Sequence, residues 1–91
     1  MKHPTYLKHI RSLDCCVSQT PAFGWSPIVA HHILMGSHKG LSQKPSDYRC
    51  VPLRADLHEL LHHQGEMVFW KARKMDPFMV SLDILIDWLE R

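Results

Sequence analysis

The stretch that decides the fold is Cys50-Val51-Pro52-Leu53-Arg54-Ala55-Asp56-Leu57-His58-Glu59-Leu60-Leu61-His62-His63-Gln64-Gly65. Its first four residues are extended in character. Pro52 cannot donate to a central ladder, so the pattern predicts an edge strand or the end of a hairpin. Residues 56–64 then combine good helix formers with an acid in the first turn, and Gly65 stands where a C-terminal cap belongs. His58 and His62 are four residues apart, which puts both rings on one helix face, one turn apart and within reach of a single metal ion. His63 points about 100° away around the helix and is expected to face solvent.

About 25 residues upstream of the helical pair lies Ala30-His31-His32-Ile33, inside a short apolar, β-branched run over residues 28–33 that predicts a strand. Adjacent strand residues face opposite ways, so one of His31 and His32 can join the helical histidines while its neighbour points elsewhere. Three imidazoles leave coordination positions open for water and a phosphate oxygen. The fourth, with an ordinary pKa of about 6.5, can take a proton from water near neutral pH. The chain holds eight histidines, but His3, His9 and His38 have no spacing that suggests a shared task.

Outward from this centre, Tyr6, Leu7, Ile10 and Leu13 recur at helical spacing after Pro4, predicting a short amphipathic helix. Cys15 to Val17 reads as a second short strand, separated from residues 28–33 by the turn-rich residues 18–27. Gly, Ser, Lys and Pro make residues 36–47 a loop. Trp70 and its neighbours predict a short helix, and Asp76-Pro77 is a strong start for a last one, with Phe78, Leu82, Leu85 and Leu89 marking its apolar face against the core. Trp25, Phe69, Trp70 and Trp88 are expected in the core.

At 91 residues, 45% of them hydrophobic and 22% charged, the chain has the balance of one small globular domain, spanning residues 1–91, to whose stability a metal could contribute. No run of about 18 apolar residues is present, and the N-terminus lacks an apolar h-region, so no membrane contact and a cytoplasmic location are expected. Three cysteines, two of them adjacent, suit free thiols. Residues 1–54 carry seven Lys and Arg against two acids, whereas residues 76–91 carry four acids against one Arg. A basic N-terminal portion suits a polyanion. Lys39, Lys44, Arg49 and Arg54 flank the histidines and are the candidate phosphate contacts.

Ala30-His31-His32-Ile33, Gly40, Lys44-Pro45-Ser46-Asp47-Tyr48, Val51-Pro52-Leu53, His58 and His62-x-x-Gly65 together resemble the ββα-metal motif of HNH, or His-Me finger, endonucleases. The resemblance is strongest to small phage and prophage members, and the opening Pro4-x-Tyr6-Leu7 with Ile10-Arg11-x-Leu13 shares it. It implies an α+β fold with a ββα-metal core and added N- and C-terminal helices. It also implies hydrolysis of DNA phosphodiester bonds, in the cytoplasm of a bacterial host cell, with one divalent ion (Zn, Ni, Mn, Co or Mg). His31 would be the strand ligand, His58 and His62 the helix ligands, and His32 the general base. Asp47 is the nearest polar residue to stand for the family's asparagine, bracing the loop or orienting His32. The cysteine pairs that hold a structural zinc in many relatives have no counterpart, since Arg54 and Leu57 occupy the second pair's positions. The partners expected are DNA and, as an option, a second copy of the chain in a homodimer. Two further readings stay open: an HNH fold that binds DNA or a protein without cutting, and a structural protein whose histidines close a zinc site.

Overall fold

The computed structural model describes residues 2–34 and 45–91. The architecture is α+β: helix α1 (Pro4–Arg11), strands β1 (Ile28–His32) and β2 (Cys50–Arg54), then helices α2 (Ala55–Gln64), α3 (Glu66–Ala72) and α4 (Pro77–Leu89). The two strands pair antiparallel, with Ile28 opposite Arg54, Ala30 opposite Pro52, His31 opposite Val51 and His32 opposite Cys50. Each strand is an edge of this two-stranded sheet, which is how Pro52 is tolerated.

β2 is buried on both faces from Cys50 to Leu53, because helices cover both sides of the hairpin. Cross-strand partners share a face, so the register sorts the side chains. Val51 and Leu53 join Ile33, Leu61, Phe69 and Trp70 in the larger core cluster, beneath α2 and α3, and Ile28, the first residue of β1, joins the same cluster although strand alternation puts it on the other face. Cys50 joins Tyr6 and Ile10 of α1 in a second cluster, to which α4 contributes Leu85 and Trp88.

The passage from strand to helix is immediate. Arg54 ends β2, and its side chain does not cap α2. The helix is capped instead from a distance of 30 residues: the buried Ser26 hydroxyl accepts from the Asp56 amide (3.1 Å) and donates to the Asp56 carboxylate (2.8 Å). The Ala55 amide donates to the Pro27 carbonyl (2.8 Å). Arg54 donates to both Asp56 oxygens (2.6 and 2.8 Å), and with the Ser26 bond this holds the Asp56 carboxyl far below the usual carboxylate range. At the other end, Gly65 closes α2 at φ 90°, a left-handed conformation that favours glycine. α4 starts as expected, with the Asp76 carboxylate accepting from the Phe78 amide (2.9 Å) and Pro77 in the first turn.

Three expectations are corrected. Cys15 to Val17 is not a strand. The Gln19 amide donates to the Cys15 carbonyl (2.9 Å) in a turn completed by Gln19 at φ 60°, leaving one ladder-like bond, from the Cys16 amide to the Pro52 carbonyl (3.0 Å). Trp25 is not in the core: it is 75% exposed at the tip of the tight turn Phe23–Ser26, stacked on Phe23. The face of α4 read as one apolar stripe is split, with Phe78 and Leu85 packed inward and Leu82 and Leu89 exposed. All three cysteines are free, and burial pushes the Cys16 and Cys50 thiols up to about 12, so neither is a nucleophile near neutral pH. No helix among the described residues is long and apolar enough to cross a membrane.

The Ser26–Asp56–Arg54 clamp fixes the start of α2, so Asp56→Ala is expected to lower the melting temperature by several degrees. Asp87→Ala removes only an exposed 3.6 Å pair with Arg91, which should contribute almost nothing. Thermal denaturation followed by circular dichroism checks the contrast, and equal shifts for the two variants contradict it.

Candidate metal centre and histidine–aspartate pair

His31 shares the face of its cross-strand partner Val51 and so points to the α2 side of the hairpin, where it is almost fully buried. Helical spacing brings His58 and His62 to the same place. Ring centroids are 5.1 Å apart for His31 and His58, 4.5 Å for His58 and His62, and 6.3 Å for His31 and His62. The Nε2 atoms of His58 and His62 face each other at 3.2 Å. Two nitrogens each about 2.1 Å from one ion at a tetrahedral angle are roughly 3.4 Å apart, so this pair already has the spacing of two ligands. Burial, with the neighbouring His31 and His62 rings, lowers the His58 pKa below the ordinary histidine value and favours the neutral, ligating form. His63 is exposed and stands apart.

Sequence reasoning missed a fourth member, Glu66, the first residue of α3. Its Oε1 accepts from His31 Nε2 (2.8 Å) and, more loosely, from the Trp70 indole (3.4 Å), while Oε2 accepts from the Leu34 amide (3.1 Å). Burial opposes the charge on Glu66. The hydrogen bonds from His31, Leu34 and Trp70 outweigh that penalty and hold the carboxyl below its usual range. The sequence signal was an acid directly after the Gly65 cap, which one left-handed residue turns back toward the helix it follows. With Glu66 on His31 Nε2, no three His, Cys, Asp or Glu side chains among the described residues already aim their donor atoms at one point. The donor chemistry and proximity nevertheless fit an ion, since three imidazoles and a carboxylate meet at one end of α2. To offer Nε2 to an ion, His31 must give up the hydrogen it shares with Glu66.

His32 pairs with Cys50 and so lies on the opposite face, toward α1. There its Nε2–H donates to Asp47 Oδ1 (2.8 Å), and the His3 amide donates to Asp47 Oδ2 (2.6 Å). The carboxylate accepts only, so the hydrogen sits on His32 Nε2 and Nδ1 is left to accept a proton. These bonds hold the Asp47 carboxyl below its ordinary value, His32 first and the His3 amide second. The pair borders a cavity of about 580 Å³ lined also by Lys2, Pro4, Leu7 and Pro45. His31, His62 and Glu66 border another of about 550 Å³, and Leu34 lines both. The structure thus brings His31, His58 and His62 together and joins His32 to Asp47, with His31 and His62 bordering one cavity and His32 and Asp47 the neighbouring one.

Of the candidate phosphate contacts, Arg49 is exposed at the approach to β2. Arg54 is held by Asp56, by Thr20 (3.3 Å) and over the Phe23 ring (5.2 Å), which makes it first a structural clamp. Lys39 and Lys44, with His38 and Gly40, lie outside the described residues. Comparison with protein-family models, with curated proteins and with solved structures finds no match.

Asp47 and Glu66 are both more acidic folded than unfolded, so their contribution to stability is complete above the unfolded carboxylate range, about pH 4. It is lost as pH falls through the lower folded values. Metal-free protein is therefore expected to lose melting temperature progressively below about pH 4. Asp47→Asn should show a shallower loss over the same range. Parallel profiles for the variant and the wild type contradict this assignment.

Proposed function

We propose that the chain is a metal-dependent endonuclease that hydrolyses DNA phosphodiester bonds, with β1, β2 and α2 as a ββα-metal core of the HNH class. The observation that carries this reading is the convergence of one strand histidine, His31, with two helix histidines, His58 and His62, across an antiparallel hairpin that runs directly into the helix. The adjacent strand histidine is turned to a separate carboxylate.

His31, His58 and His62 would hold one divalent ion (Zn, Ni, Mn, Co or Mg), with Glu66 beside them. An ion held there would supply Lewis-acid stabilisation of charge on the phosphate and leaving oxygen. His58 enters as a neutral donor. His32 takes the proton of the attacking water on Nδ1, while Asp47 holds the ring through Nε2 and stabilises the imidazolium that results. Leu34 borders both cavities, so a phosphate lying across the end of β1 is the position from which one scissile bond could meet both groups. Arg49, with Lys39 and Lys44 of the sequence between the two strands, would supply cations for the flanking phosphates, and DNA binding should weaken steeply with salt.

A second reading has one observation in its favour. Glu66 lies against His31, which adds a fourth side chain of ligand type beside the three histidines, and four ligands would close a structural site. In that case the protein binds metal and does not cut.

Plasmid nicking measured beside calorimetric metal titration separates these readings. His58→Ala and His62→Ala should lose metal binding and cleavage together, and His63→Ala neither. His32→Ala should keep metal affinity while cleavage falls by about 10²- to 10⁴-fold. Wild-type protein that binds metal through these histidines but nicks DNA with none of the five ions supports the structural reading. Cleavage that survives His32→Ala contradicts the base assignment.

A further inference from the structure

α4 is apolar around nearly its whole circumference. Of its 13 residues, PFMVSLDILIDWL, only Ser81, Asp83 and Asp87 are polar. One side packs inward through Phe78, Leu85 and Trp88. The other exposes Met79 (54%), Leu82 (45%), Ile86 (43%) and Leu89 (69%). At 100° per residue these four fall within a stripe about 80° wide, at the 3-4-3 spacing of a helix seam. A helix apolar on both sides is the mark of one packed on both sides, and among the described residues only one side is used.

The stripe also has a symmetry that selects its occupant. Met79 and Leu89 are equidistant from residue 84, as are Leu82 and Ile86. A two-fold axis through that point, perpendicular to the helix, sets Met79 against Leu89 and Leu82 against Ile86 of a second antiparallel copy, which is the self-complementarity that an isologous contact requires. The charges agree with this arrangement. Asp83 falls opposite Leu85, Asp87 opposite Ser81 and Glu90 opposite Phe78, so no acid meets an acid. Arg91 arrives at the start of the other helix, beside Asp76.

We propose that the exposed face of α4 is a homodimer interface, in which two copies pair antiparallel about residue 84 through Met79, Leu82, Ile86 and Leu89. With one helix per copy the buried area lies at the low end of specific interfaces, below about 1,200 Å², the size class of weak, reversible association. The interface uses no residue of the histidine cluster, and its existence is independent of what that cluster does.

Sedimentation velocity of the full chain from about 1 to 100 µM should show a concentration-dependent passage from monomer to dimer. Leu82→Glu and Met79→Lys should each weaken self-association at least about tenfold. Both positions are exposed, so circular dichroism and melting temperature of the monomer should stay unchanged. Under mild oxidation the double variant Leu82→Cys/Ile86→Cys should give a disulfide-linked dimer, whereas each single cysteine variant, opposite a different residue, should not link beyond the wild-type background. A chain monomeric over the whole range overturns the proposal and leaves α4 to a different partner. A dimer indifferent to both charge substitutions overturns it by placing the interface elsewhere, and efficient linking by the single variants overturns the antiparallel arrangement.

Discussion

The register of β1 against β2 is the constraint on which the rest of the molecule depends. His31 stands opposite Val51 and His32 opposite Cys50, and β2 passes into α2 without an intervening residue. The helix therefore cannot shift relative to the strands, and the positions of His58 and His62 follow from the same pairing that orients His31. Strand side chains alternate with a period of two, so a slip of one residue would send His31 to the α1 side and His32 to the α2 side. Burial of β2 on both faces makes such a slip costly, because each cluster is packed for the residues it now contains.

Around that hairpin a small chain uses polar contacts in place of core volume. Ser26 reaches 30 residues along the sequence to cap α2, and Arg54 locks the same carboxylate from the strand side. Glu66 binds the end of β1 from the first turn of α3. Asp47 joins the N-terminal segment, through His3, to His32. Each of these carboxylates has at least two donors, which is what allows it to stay ionised while largely covered. The same economy ties fold to site. Two of the three anchors, Glu66 and Asp47, hold the strand histidines of the proposed mechanism, so stability and chemistry draw on the same hydrogen bonds.

Much of this was legible in the residues themselves. Pro52, the Asp56-to-Gln64 run and Gly65 defined the second strand and the helix after it, and Asp76-Pro77 located the start of α4. The four-residue spacing of His58 and His62 placed them on one face, and strand alternation required His31 and His32 to part. Other features depend on contacts that local pattern does not encode. Cys15 to Val17 has the composition of a strand, but a turn around Gln19 takes up its backbone bonds. Trp25 is large and apolar, yet it sits at the tip of the Phe23–Ser26 turn, exposed to solvent. In α4 an apolar residue occupies almost every position, so periodicity could not choose between its two sides. Glu66 was hidden for a simpler reason: its partners His31 and Leu34 lie more than 30 residues away.

The central claim is that His31, His58 and His62 hold one ion at the mouth of a nuclease site. A crystal structure of the protein soaked in Mn or Zn, with anomalous data collected at the metal edge, tests it most directly. The account predicts one anomalous peak at about 2.0–2.3 Å from a nitrogen of each of the three imidazoles, with His31 released from its present hydrogen bond to Glu66 and at least one coordination position occupied by solvent. A peak bound by His58 and His62 alone, with His31 still donating to Glu66, would contradict it, as would an ion located away from all three rings.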